Sequence, residues 1–135
     1  MKTTKNIKFN KKKLIPIAEK YSLNYIALFG SRADGSAQAD SDYDLIYSSK
    51  NDIDYGREAE LTMELAAVFE SNKIDLTNAG NASPLLLKEV YNNSVLLFEA
   101  TKNSYDNFLA YSFMTYIEAK PLFKMKMDYL VKNIS

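Results

Sequence analysis

Four short apolar runs, "NYIALFG", "DYDLIYSS", "KIDLTNAG" and "VLLFEA", punctuate the chain. Each has strand length, and each is separated from the next by a turn-rich or helix-patterned segment. "LIPIAEKYSL" places Leu14, Ile17, Ala18 and Tyr21 at helical spacing, with Pro16 expected in the first turn. "DIDYGREAELTMELAAVFES" repeats apolar residues at Leu61, Leu65, Val68 and Phe69, an amphipathic helix. "SPLLLKEVYNNS" opens with Ser83 as N-cap and Pro84 at the first helical position. Alternating strands and helices restrict the chain to the α/β class, in which helices cover a sheet. No run approaches the roughly 20 apolar residues that a membrane span needs.

From Ser104 the pattern changes: "SYDNFLAYSFMTYIEAKPLFKMKMDYLVKNIS" is rich in aromatic residues. Its first half is apolar almost all round, so something must bury it. Pro121 is expected to end or kink that helix. Beyond it, Phe123, Met127, Leu130 and Ile134 again have helical spacing. The 135 residues suffice for one domain with a real core. The expected division is a core unit over residues 1–103 and a helical extension over 104–135.

The chain has no Cys and no His. That removes disulfides, thiolate and imidazole metal sites, Cys nucleophiles and Ser-His-Asp triads. Acid–base or metal chemistry then rests on carboxylates, Lys, Tyr or water, and carboxylate oxygens suit hard cations such as Mg²⁺ or Mn²⁺. The formal net charge is zero, so no direct nucleic-acid partner is expected. The basic opening "MKTTKNIKFNKKK" is not followed by a long apolar stretch, so the reading is a cytoplasmic protein with no membrane partner.

The candidate site lies in "ALFGSRADGSAQADSDYDLIYSS". A strand ends at Phe29, and a turn or short helix begins at Ser31. Backbone N–H groups at such a start attract phosphate; Gly30 lets it approach closely, Ser31 adds a hydroxyl, and Arg32 adds a fixed charge. Asp42 and Asp44 are two residues apart, which puts them on one face of a strand. Paired carboxylates repel unless a cation sits between them. Asp75, between the apolar Ile74 and Leu76, points opposite to them and would join the pair if its strand lies alongside. Each feature alone also fits a bland reading: a small-residue bend, a solvated acidic turn, an exposed strand residue. A Walker loop is excluded because Ser36-Ala37 stands where Lys-Ser/Thr is required. A calcium loop is excluded because Leu45 stands in place of Gly and Asn51 in place of Glu.

Taken together, Gly30-Ser31, ten intervening residues, Asp42-x-Asp44 and a strand-borne Asp75 resemble the nucleotidyltransferase superfamily of the DNA polymerase β type. The "LFGSRADG" run and the short length resemble its minimal nucleotidyltransferase branch, whose members act as antitoxins paired with HEPN-type toxins. The likeness covers residues 12 to 100 and departs at Asp34, where many relatives carry Arg. It implies a polymerase β-like palm, a small mixed sheet flanked by helices, with a C-terminal helical appendage. It also implies ATP held by Gly30, Ser31 and Arg32, and Mg²⁺ held by Asp42, Asp44 and Asp75, the catalytic carboxylates. The implied reaction is transfer of AMP to a tyrosine hydroxyl of the HEPN toxin, which would block its RNase activity. Neutralisation by binding alone and nucleotidyl transfer to a small molecule are the rival readings.

Overall fold

The structure, a computed structural model, describes residues 7–134. The basic residues 1–6 and the side chain of Ile134, both used in the sequence reading, lie outside the described residues. The elements are α1 (Lys11–Lys20), β1 (Leu23–Phe29), α2 (Ser31–Asp34), β2 (Tyr43–Ser49), α3 (Tyr55–Phe69), β3 (Ile74–Asn78), α4 (Pro84–Asn92), β4 (Ser94–Glu99) and α5 (Ser104–Ile134). The strands form one mixed sheet in the order β3-β2-β1-β4. β1 pairs antiparallel with β2 and β4, whereas β2 and β3 run parallel, as the crossover through α3 allows.

Strand alternation sends side chains to two cores. On one face Ile26 and Leu28 of β1 with Leu45 and Tyr47 of β2 meet Leu14 and Ala18 of α1 and Leu61 and Leu65 of α3. On the other, Tyr25, Ala27, Phe29 and Ile46 meet Leu87 and Val90 of α4 and Tyr105 and Phe108 of α5. Each such aliphatic side chain contributes about 1.5–3 kcal/mol on burial. The expected N-cap holds: Ser83 Oγ accepts from Leu86 N at 3.2 Å. Asp54 caps α3 in the same way, accepting from Arg57 N at 2.8 Å.

Two proline expectations are corrected. Pro16 is not in the first turn of α1 but in its middle, because the helix starts at Lys11 under the Asn10 cap. The three lysines Lys11, Lys12 and Lys13 form the first turn of α1. Pro121 neither ends nor breaks α5, which continues to Ile134. That proline removes one backbone bond in an exposed stretch, where water can serve the freed carbonyl. The start of α5 is core: Tyr105 and Ser112 are fully buried, and Tyr25 packs against both Tyr105 and Phe108. Among the described residues no helix is long and apolar enough to cross a membrane.

Candidate functional site

β1 ends at Phe29, which stands opposite Asp44 of β2 in the ladder. Gly30 follows with φ 75 and ψ −155, a region essentially restricted to glycine. A Cβ there would be driven into Asp44 Oδ2. The glycine is therefore required twice, by its backbone conformation and by the carboxylate lying against it. Ala33 and Asp34 N–H groups donate to Gly30 O at 3.0 and 3.1 Å, closing the single turn of α2. Gly30 and Ser31 open onto a cleft of 420 Å³ whose far wall is α4, through Leu85, Lys88, Glu89 and Asn92.

Gly30→Ala should destabilise the fold by about 1–3 kcal/mol from the backbone alone. Removing the Asp44 side chain as well should recover part of any further loss. A double-mutant cycle by urea unfolding reads this coupling, and strict additivity would contradict the Gly30–Asp44 contact.

Asp44 and Asp75 stand side by side, paired in register on the parallel strands β2 and β3. Asp75 is exposed, and its neighbours Ile74 and Leu76 pack into the opposite core. Asp42 lies just before β2 on exposed coil. Partial burial, then the charges of Asp75, Asp42 and Glu89, push the Asp44 carboxyl up from 3.8 to about 6. The donors are all oxygens, and the like charges repel, which is the chemistry a hard divalent cation satisfies. Among the described residues, however, no three carboxylates are gathered closely enough to form a ready-made cation cage. The pair Asp44–Asp75 is assembled, and Asp42 flanks it.

The raised carboxyl has a consequence for stability. Its folded pKa lies above its unfolded one, so the native state holds the proton more tightly between 3.8 and about 6. Stability falls as pH rises through that window, and the penalty is complete above it. Asp44→Asn removes the penalty. In metal-free buffer the variant should equal the wild type near pH 4 and exceed it near pH 8, by about 1 kcal/mol after allowing for solvent screening. Urea unfolding at the two pH values checks this; an equal difference at both would contradict it.

Arg32 is engaged by the loop that leads into β2. Its Nη2 donates to the carbonyls of Ala39 and Ser41 at 3.2 and 2.9 Å, and its guanidinium lies 4.3 Å from the Tyr43 ring centroid. It clamps the loop joining α2 to β2. Asp34 likewise serves the local turn, accepting from Ser36 N and Oγ at 2.8 and 2.6 Å. Sequence reasoning missed Lys88 and Glu89 on the cleft wall. Their signal was present: Leu85, Lys88, Glu89 and Asn92 form one helical stripe of α4 behind the Ser83 cap.

A model of one protein family, described as polymerase beta, nucleotidyltransferase, matches residues 12–103. No curated protein sequence matches the chain significantly. Among solved structures, a toxin–antitoxin with AMP-PNP is 24% identical, with TM-score 0.76 over 90% of this chain and 98% of that one. A tri-AMPylated Shewanella oneidensis HEPN toxin in complex with MNT antitoxin gives 22% identity and TM-score 0.70 over 90% and 96%. The toxin–antitoxin MntA-HepT gives 22% and 0.70 over 90% and 97%. At these identities the likeness is one of fold.

Proposed function

This chain belongs to the polymerase beta nucleotidyltransferase family, and from that premise we propose that it is the antitoxin of a toxin–antitoxin pair. It moves AMP from ATP to a tyrosine hydroxyl of a HEPN-type RNase toxin, with Mg²⁺ (or Mn²⁺) as cofactor. The observation that carries this reading is the Asp44–Asp75 pair, in register on adjacent strands with Asp42 beside it and the Gly30–Ser31 turn against Asp44. It is supported by the fold shared with solved antitoxins, one of them described with AMP-PNP and one with a tri-AMPylated toxin.

In this reading the triphosphate lies over Gly30 and Ser31, with the Ser31 hydroxyl as donor and Lys88, across the cleft, as counter-charge. The toxin's tyrosine oxygen attacks the α-phosphorus, the bond to the β-phosphate oxygen breaks, and pyrophosphate leaves. Asp75, the more exposed carboxylate of the pair, accepts the hydroxyl proton. Asp42 and Asp44 would hold the divalent ion, which would supply neutralisation of the carboxylates and stabilisation of charge on the phosphoryl group. Arg32 contributes by fixing the loop that carries Asp42.

The test is to incubate the purified chain with the HEPN protein encoded beside it, ATP and Mg²⁺, and to weigh both proteins by mass spectrometry. AMP on a toxin tyrosine, with loss of RNase activity, is the expected result. Neutralisation with no mass gain would overturn transfer in favour of binding alone. Modification of neither protein, with transfer to a small molecule, would overturn the antitoxin reading.

A further inference from the structure

We propose that a second cleft, at the start of α1, holds the phosphates of nucleotidyl units already attached to the acceptor, so that the enzyme adds more than one. The proposal rests on the transfer activity proposed above and concerns a surface that reading does not use.

The cleft encloses 620 Å³, with Lys8, Lys11 and Lys12 on its walls and Phe9, Tyr43 and Phe69 as its aromatic floor. Ring centroids of Phe9 and Tyr43 lie 6.0 and 4.7 Å from that of Phe69. Phe9 remains half-buried, whereas Tyr43 is already contacted by both Phe69 and the Arg32 guanidinium. The lysine turn is held in place: Asn10 N donates to Val68 O at 3.0 Å, and Asn10 Oδ1 accepts from Lys13 N at 3.2 Å.

Charge singles out this cleft. The chain is neutral overall, yet seven of its 17 basic residues fall in the first twenty positions, against the one acid Glu19. Among the described residues the ion pairs are Lys20–Glu64 and Arg57–Glu60, and neither uses the cleft lysines. Glu70 is the one acid on the rim. Such an array of cations beside a half-exposed ring matches a single-stranded nucleotide segment, with phosphates on the lysines and a base against Phe9.

Position ties the cleft to the acids. Tyr43 stands between Asp42 and Asp44 in the sequence. Its ring packs into the opposite core. The cleft and the carboxylates therefore occupy opposite faces at one end of β2. A nucleotidyl chain leaving the carboxylate face around that end enters the lysine cleft. The growing terminus stays at the carboxylates while its older phosphates are held behind it.

The probe is the trinucleotide pApApA, titrated by calorimetry into the full chain without divalent metal. Binding should weaken with salt, with a slope of about −2 for three phosphate contacts on a single strand. Lys8→Glu/Lys11→Glu/Lys12→Glu should weaken it at least ~10-fold and flatten that slope. The variant should fold, because α1 has no acid in its first turn and acids there suit the helix dipole. Lys→Gln changes at the same positions repeat the test should it not. In the transfer assay the variant should add the first AMP at the wild-type rate and stop there. No trinucleotide binding, binding unchanged in both variants, or displacement of the trinucleotide by ATP would overturn the proposal. So would lost trinucleotide binding with an unchanged number of added nucleotides, which would assign the cleft to free oligonucleotides. If no partner is modified at all, the function proposed above fails, whereas the titration still decides whether this cleft binds a nucleotide chain.

Discussion

Asp42→Asn/Asp44→Asn, with both charges removed and shape nearly kept, is expected to lower AMP transfer by at least ~10³-fold. That corresponds to about 4 kcal/mol of lost transition-state stabilisation, the scale of a charge-neutralising cation at a phosphoryl group. The fold should survive. Asp42 is exposed, and the Asp44 side chain lies among like charges rather than in an ion pair. The metal-free variant should be at least as stable as the wild type at neutral pH. A second readout separates chemistry from folding: Mg²⁺ with ATP should raise the wild-type melting temperature. That shift should shrink or vanish in the variant. Full transfer activity in the variant would show that these carboxylates are not the reactive centre.

Loss of partner binding is the next largest effect, and it concerns α5. Tyr111, Phe113, Met114 and Ile117 are exposed by 42–60%. Beyond Lys120, Leu122, Met125 and Val131 are each exposed by about two thirds. A helix that buries only its first turns and leaves this many large apolar residues uncovered carries an interface-sized patch. On the proposed function, the HEPN partner covers it. Tyr111→Ser/Phe113→Ser should weaken the complex by about 10²–10³-fold, two aromatic anchors contributing about 2 kcal/mol each. The chain should remain folded, since Tyr111 and Phe113 are exposed, Phe113 packs on the half-exposed ring of Tyr91, and neither belongs to a core cluster. Truncation after Thr101 is unsuited as a test, because it removes Tyr105 and Phe108 from the second core. Ending the chain after Ala119 keeps both. Wild-type affinity in the point variant and in that truncation would place the interface elsewhere.

Residues 104–135 are thus proposed as a unit distinct in role from 1–103, although the two are not separate in packing. The fold treats Tyr105, Phe108 and Ser112 as core, packs Leu109 against it, and leaves Tyr111, Phe113, Met114 and Ile117 exposed.

Much of the domain was legible because the signals that wrote it are local. Strand runs announced themselves by length and β-branched or aromatic content. Leu61, Leu65, Val68 and Phe69, picked by helical spacing, are all buried. Ser83 capped the helix it was expected to cap. The Gly30-Ser31 bend and the Asp42-x-Asp44 spacing pointed to one place, since a strand end and a period of two are properties of consecutive residues. Other features depended on partners distant in sequence. That Asp75 pairs with Asp44 is a matter of register between strands thirty residues apart. Nothing near Asp75 specifies that register; the shared burial of Ile74 and Leu76 against the α1–α3 face sets it. Gly30 was read as room for a phosphate, and only the packed sheet brings the Asp44 carboxylate against it. Arg32 was read as a fixed charge beside the phosphate turn, and its contacts to Tyr43 and two loop carbonyls come only from the folded loop. Pro16 and Pro121 were read as helix boundaries from steric preference alone. Helix capping by Asn10 in one case, and solvent around an exposed turn in the other, overrode a local cost of a few kcal/mol. Residue type and spacing determined which chemistry this chain can carry. Tertiary packing decided which side chains share a point in space, because only there do charges, cavities and ladder registers meet.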